Sequence, residues 1–428
     1  MSLKILITGT TGDSMPPPYA GVPKVALLYA RAYKQAGHSV AVTFVYRPTN
    51  ADDMGTKTEY FFEYNSKPNE FKKILFLLKY FFSNPYLYFK LFYSHYKIYP
   101  RIYSELILYS SYGVFMDKVL DSFKPDIILS QATLIKTFMV AELAMMKNIP
   151  IVFEPYAEIH DIRMGVNKNL NELERKNYWT QYLSLATMVI GMDNCSVGPL
   201  MYLPLEKVKV FYDTCDYNAF QVKLSQGKKE FRNELNLPQG MFLAGMVGAF
   251  HYRKGHDHLI KAVSLLNKQG FSNIGAVICG NSSKTLEKWK LLAKNEGIED
   301  KIFFLINFSQ DKIIKLHQSL DTYCNLSNST RSCGLDLALL EAMASGLPLV
   351  VYDNGALSRA VPREENGFLI KTNDIKSLAQ GILKMYKFSS KERQTMGEKS
   401  RALAAKTEVN FLAEIKLGWF KEIVRDFR

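Results

Sequence analysis

Two sets of short apolar runs constrain this chain more than any other feature. Each run stops at Gly, Asp, Pro or a small polar residue, and a stretch with helical periodicity follows it. The first set comprises Lys4–Thr8, Ser39–Tyr46, Asp126–Ser130, Pro150–Glu154 and Met188–Met192. The second comprises Phe242–Val247, Asn273–Cys279, Ile302–Leu305, Thr322–Leu326 and Leu347–Tyr352. Strands this uniformly apolar are buried on both faces, and the helices between them supply the crossovers that parallel pairing needs. The expectation is therefore an α/β protein with two doubly wound domains. A chain of 428 residues also exceeds the size at which one core keeps growing. The boundary is expected near 205–225, giving domains over 1–210 and 211–408. The segment 409–428 has apolar residues near helical spacing and is expected to form one more helix.

A hydrophobic content of 47% with 22% charged residues suits a soluble globular protein. No run reaches the roughly 18 apolar residues of a membrane span. The start, Met1 to Thr8, reads directly into a strand, so no secretory signal is expected. The five cysteines, Cys195, Cys215, Cys279, Cys324 and Cys333, are odd in number and lack CxxC spacing. That argues against a disulfide framework and a zinc site, and a reducing cytosol is the expected compartment. A net charge of +13 calls for an anionic partner: nucleic acid, anionic lipid or a phosphorylated substrate.

The run Ser332-Cys333-Gly334-Leu335-Asp336-Leu337-Ala338-Leu339-Leu340-Glu341-Ala342-Met343-Ala344-Ser345-Gly346-Leu347-Pro348 narrows that choice. It is expected to open a helix at a strand end and to place Glu341 two turns in. A helix start offers free N–H groups and a positive dipole end to a phosphate, while a carboxylate accepts from sugar or ribose hydroxyls. The combination suits a nucleotide sugar. The run resembles the donor-site signature of glycosyltransferase family 4, retaining enzymes of the GT-B fold, in which a Glu-x7-Glu pair spans such a stretch. Glu341 matches the second Glu, and Cys333 stands in place of the first. The segment Met246–Ala262 resembles the family's second signature, with Lys254 at its Lys and Ala249 at its Arg; Arg253 is the candidate replacement cation. Val208–Phe220 resembles the family's connector, with Asp213 replacing the usual Asn. Thr8–Leu27 resembles its Gly-Gly loop, with Ala20 and Gly21 at the glycine pair.

The resemblance extends over nearly the full chain and is strongest from 243 to 370. It implies a GT-B fold: two Rossmann-like domains facing a central cleft, with the helix over 409–428 crossing back to pack on the first. Acceptor would bind to 1–210 and donor to 211–408. It further implies catalytic roles for Lys254, Arg253 and His160, the latter following the strand at Pro150–Glu154, whose polar end would face the cleft. Donor contacts would come from Gly21, Gly248, Ile306, Asn307, Phe308, Cys333, Gly334, Leu335, Asp336, Leu337 and Glu341. In particular, Glu341 would bind the ribose, N–H groups around Leu335 to Leu337 would meet diphosphate or sugar, and the base would rest on Ile306-Asn307-Phe308. The implied activity is retaining hexosyl transfer from a nucleotide sugar to a glycan or lipid-linked acceptor, in bacterial-type polysaccharide or glycolipid assembly. No metal and no other cofactor is required on this reading.

Cys333 and Ala249 leave a second reading open: a non-catalytic sugar-nucleotide-binding or assembly protein on the same fold. A thiol accepts hydrogen bonds poorly, so either Asp336, Arg331 or Ser332 stands in for the first Glu or transfer is lost. A nucleophilic Cys333 is a third option. His251, His256 and His258 crowd one loop with Asp257, but their spacing matches no established metal-ligand set.

Phe71–Arg101 holds twelve aromatic residues, six Lys or Arg and no acidic residue. Packed aromatic helices with solvated lysines would explain it, and so would an element lying on an anionic membrane surface. Nucleic-acid binding uses similar chemistry, but the donor signatures disfavour it. In the first domain such an element suits a lipid-linked acceptor, with the protein in the cytoplasm and peripheral on the inner face of the plasma membrane.

Overall fold

A computed structural model describes residues 1–8, 21–44, 60–63, 70–83, 85–86, 89, 102–131, 135–154, 183–191, 205–211, 213–221, 227–281, 284–328 and 335–428. The chain forms two compact units, Met1–Tyr212 with Asn410–Arg428, and Asp213–Val409.

The first unit is built on seven strands: β1 (Lys4–Thr8), β2 (Ser39–Phe44), β3 (Tyr60–Glu63), β4 (Ile127–Ser130), β5 (Ile151–Phe153), β6 (Met188–Gly191) and β7 (Val208–Val210). They lie in the order β3-β2-β1-β4-β5-β6-β7, and all pairs are parallel. The strands β4 and β5 are buried throughout, and β2 is buried from Val40 onward, as their largely apolar runs require. Val208–Val210 is the start of the expected connector, whereas Tyr60–Glu63 was not anticipated. It is a four-residue edge strand, and an edge strand has no need of the uniform apolar run that marks its neighbours.

The terminal helix, Val409–Phe427, belongs to this unit from Asn410 onward. Its Lys416 is completely buried, and its ammonium donates to Oε1 of Glu154, the residue that follows β5. The Gln131 amide donates to the other Glu154 oxygen at 3.3 Å. The same ammonium lies 3.5 Å from the Tyr29 ring centroid and 5.3 Å from that of Phe211. A cation taken out of water needs a carboxylate and electron-rich faces, and here it has both. Phe420 and Trp419 extend the contact, at 5.8 Å from Tyr33 and 5.2 Å from Phe211. Glu154, expected to present a polar strand end to substrate, is therefore turned inward and pins the terminal helix.

The second unit has six parallel strands: β8 (Phe242–Val247), β9 (Ile274–Gly280), β10 (Ile302–Ile306), β11 (Thr322–Asn325), β12 (Leu349–Asp353) and β13 (Gly367–Lys371). Their order, β10-β9-β8-β11-β12-β13, is that of a Rossmann sheet. Apolar clusters cover both faces, one centred on Leu259, Ile260 and Val263, the other on Leu339, Leu340 and Met343. The edge strand Gly367–Lys371 escaped the sequence reading because only Gly367 and Ile370 of it are buried. The chain runs from β8 outward to β9 and β10, then returns to the other side of β8 as β11. The loops leaving β8 and β11 consequently diverge, and that gap at the strand ends is where a parallel sheet binds ligands. Among the described residues, no helix is long and apolar enough to cross a membrane.

The buried pair in the first unit yields a stability prediction. Lys416→Met strands the Glu154 carboxylate and should destabilise the protein by about 3–5 kcal/mol in urea titrations. Lys416→Met with Glu154→Gln removes both charges and keeps an amide for Gln131, so most of the loss should be regained. Equal losses in the single and double variants would show that the stranded charge is not the cause.

Candidate functional site

The loop after β8 begins at Gly248, whose N–H donates to the Cys279 carbonyl at 2.9 Å. It closes with one tight turn, Tyr252–Lys254, and then Gly255 at φ +75°. A Cβ on residue 255 would lie 2.4 Å from the Leu326 carbonyl oxygen, so only glycine lets this loop rest on the exit of β11. The aliphatic stem of Lys254 runs past Gly248, its Cδ 3.9 Å from where a Cβ on that glycine would sit. The Lys254 ammonium donates to both Asp336 oxygens, at 2.9 and 2.8 Å. The Asn325 amide, at the end of β11, donates to Asp336 Oδ2 at 3.0 Å. Burial works to raise the Asp336 pKa, but the Lys254 charge and hydrogen bond, with the Asn325 amide, hold it below the ordinary aspartate value.

Asp336 stands at the cap position of the helix Leu337–Ala344 yet makes no side-chain cap to it. Its backbone carbonyl takes the N–H groups of Leu339 and Leu340, while its carboxylate faces Lys254. The first N–H groups of the helix are thus left without the side chain that would ordinarily satisfy them. One donor assigned to the ligand by the resemblance is already engaged: the Leu335 N–H donates to Asp213 Oδ2. Asp213 occupies the connector position where Asn was expected, and a carboxylate there can only accept.

Glu341 is the fifth residue of this helix, in its second turn and not two turns in, because the helix begins at Leu337. It is buried, and about 7–8 Å separates it from Asp336 along the axis. Its charge reaches the Cys215 thiol and the Tyr323 hydroxyl, both of which burial pushes upward first. Tyr323 in turn accepts from Val247 N–H at 3.3 Å and donates to its carbonyl at 3.2 Å, which ties the ends of β8 and β11.

Ile306 ends β10, and Asn307 and Phe308 follow it along the same row of strand ends. Asn307, at φ +57°, donates its N–H to the Gly280 carbonyl at 2.9 Å. A Cβ on Gly280 would lie 2.4 Å from the Gly248 carbonyl, so the exits of β10, β9 and β8 are in close succession. Ile306 is exposed, and the Lys312 ammonium sits 5.4 Å from the Phe308 ring centroid. Arg253 turns to its neighbour: its guanidinium lies 5.8 Å from the Tyr252 ring, with Nε donating to the hydroxyl at 3.4 Å.

The three histidines expected to crowd one loop are divided: His251 lies in the loop, whereas His256 and His258 lie in the first turn of the helix His256–Lys268, and each has local work. His251 Nδ1 accepts from Arg253 N–H at 3.2 Å, and His258 Nδ1 bonds Tyr352 at 2.8 Å. His256 packs on Phe250 and Trp289, and burial lowers its pKa to about 4, leaving it neutral. Gly21 opens the helix Gly21–Gln35 of the first unit, with open space where a Cβ would project. His160, Cys333, Gly334, Arg331 and Ser332 lie outside the described residues. Asn325, Tyr323 and the Asp213 contact were missed in the sequence, where the only signal was a polar residue at a strand end or connector.

Residues 227–403 match the family model described as Glycosyl transferases group 1, and they lie within the second unit. A D-inositol 3-phosphate glycosyltransferase of Corynebacterium jeikeium is 28% identical over 221 residues, which is 50% of this chain and 52% of that protein. The chain spans about half the length of the curated relatives it matches. A glycosyltransferase from Rickettsia africae ESF-5 superposes with a TM-score of 0.74 at 16% identity, covering 99% of both chains. Anabaena Alr3699/HepE, solved in complex with UDP and glucose, gives 0.73 at 16% identity, covering 98% of this chain and 99% of that one. The fold is GT-B, with two Rossmann-like units. The match within the second unit supports a glycosyltransferase on that fold.

The Asp336 carboxylate makes a pH prediction. Its folded pKa lies below its unfolded value, so its contribution to stability is complete above the unfolded value, about 3.9, and fades as pH falls through the folded one. Wild type should exceed Asp336→Asn in stability near neutral pH, and the gap should narrow below about pH 4. A gap that stays constant from neutral to acid, in thermal melts, would refute the ion pair as its source.

Proposed function

We propose that this chain transfers a sugar from a nucleotide-sugar donor, with retention, to a glycan or lipid-linked acceptor. The observation that carries the reading is the meeting of Lys254 and the uncapped start of the helix Leu337–Ala344 at the gap between β8 and β11, with Glu341 buried one turn further on. A diphosphate fits a site that offers a lysine and free N–H groups together, and a buried carboxylate fits ribose hydroxyls. On this reading the donor diphosphate replaces the Asp336 carboxylate on Lys254. Lys254, the helix dipole and Arg253 then stabilise the departing diphosphate, so no metal is required. Arg253 must leave Tyr252 to take part. Hexosyl specificity and a place in bacterial-type polysaccharide or glycolipid assembly belong to the same proposal, as does a cytoplasmic site of action.

Cys333 and Ala249 favour a second reading, a sugar-nucleotide-binding protein without transfer activity. Release of nucleotide from UDP-, GDP- and ADP-sugars, measured with and without EDTA, separates the two. Turnover that survives EDTA supports the first reading; binding without any nucleotide release supports the second.

The residue roles are tested with UDP as probe, the nucleotide bound by the Anabaena structure. Glu341→Ala should weaken UDP and uridine alike by about 1–3 kcal/mol, since it removes a partner of buried hydroxyls. Lys254→Ala should weaken UDP far more than uridine, because Lys254 addresses charge. Calorimetry showing unchanged affinity in Glu341→Ala, or equal losses for both ligands in Lys254→Ala, would remove that residue from its assigned role.

A further inference from the structure

Seven large apolar side chains of the first unit stand exposed within one short stretch of chain. On the helix Glu70–Ser83 they are Phe71, Ile74, Leu75, Leu78 and Phe82, with Phe71 74%, Leu75 56% and Phe82 76% accessible. Tyr86 and Phe89 continue the series at 74% and 59%. The five helical positions recur at i, i+3, i+4, i+7 and i+11, which places them on one stripe roughly 100° wide. That spacing normally marks the face a helix buries. Here the helix packs elsewhere on Ile102–Phe123, and Phe81 is half-buried with Phe82 and Phe89 rings at 5.4 and 5.7 Å. The stripe itself faces water.

We propose that this stripe docks the protein on an anionic membrane surface. Charge selects that occupant over a second copy of the chain. From Phe71 to Arg101 the sequence carries six Lys or Arg and no acidic residue, and Lys79 is exposed beside the stripe. Even with Glu70 at the helix start the segment carries a net positive charge in sequence, so two copies of it would repel one another, whereas an anionic leaflet attracts it. Aromatic rings with apolar bodies suit the headgroup boundary, and a helix of 14 residues with one apolar stripe lies in that boundary without crossing it. The proposal needs neither donor nor acceptor, so it stands apart from the transferase reading.

The test is co-sedimentation of the full chain with vesicles of phosphatidylcholine alone and of phosphatidylcholine with phosphatidylglycerol. The protein should pellet with the anionic vesicles, and raising the salt should release it. Leu75→Asp with Leu78→Asp should weaken partitioning about tenfold or more, since burying even one leucine is worth at least that factor. Both positions are exposed, so the variant should melt at the wild-type temperature. The idea is overturned if wild type ignores anionic vesicles, binds neutral ones equally well, or partitions no better than a folded double variant. It is equally overturned if the double substitution converts a dimer to a monomer while neither protein binds vesicles.

Discussion

A parallel sheet must be entered from the same end by every strand, and in the second unit that constraint decides where polar chemistry can gather. The chain leaves β8 for β9 and returns beside β8 as β11, so two neighbouring strands send their loops in opposite directions. Lys254 comes from the loop after β8; Asn325 ends β11, and Asp336 stands at the start of the helix that comes after it. The distance between them is set by backbone, because Gly255 lets the first loop rest directly on the Leu326 carbonyl. A side chain at 255 would lift the loop and separate the lysine from its carboxylate. The site is therefore a consequence of strand order made exact by one glycine.

Two of the lysine–carboxylate pairs among the described residues show how differently burial can treat the same chemistry. Lys416 and Glu154 are 0% and 1% exposed, whereas Lys254 and Asp336 are 31% and 24% exposed. Taking either member from the first pair leaves a charge that water cannot reach, which costs several kcal/mol, so that pair holds a helix in place. The second pair is open enough for water to compensate either ion, and exposed pairs are worth about 0–1 kcal/mol net. An incoming anion can take over such a lysine at little expense. Geometry alone would rank the two pairs alike; accessibility tells them apart.

Much of this was legible in the sequence, and the reasons for success and failure are physical. Phe242–Val247 could be bounded to the residue because it is buried on both faces and every position had to be apolar or small. Tyr60–Glu63 and Gly367–Lys371 could not: both are edge strands, and of the second only Gly367 and Ile370 are buried, so neither shows the run of apolar residues that the edge strand Ile302–Ile306 still carries. Lys254, Asp336 and Glu341 were legible because each sits in a contiguous pattern tied to a strand end. Their pairing was not. Glu154 finds its cation 262 positions away, and Leu335 finds Asp213 at a separation of 122. Local pattern places a polar residue at a strand end, but only the fold decides whether it meets solvent, ligand or another side chain.

That distinction bears on how the helix Leu337–Ala344 begins. An aspartate before a helix ordinarily satisfies the first N–H groups, which would close the site to anions. Here Asp213 fixes the approach by holding the Leu335 N–H, and Lys254 with Asn325 draws the Asp336 carboxylate aside. The carboxylate that could have blocked the helix end instead holds the lysine in position. On the proposed reading a diphosphate, carrying more charge than one carboxylate and able to bridge the lysine and the helix start at once, outcompetes it. Asp336 is then a stand-in for the ligand as well as a neighbour of it, which gives an aspartate at this position a purpose that capping does not supply.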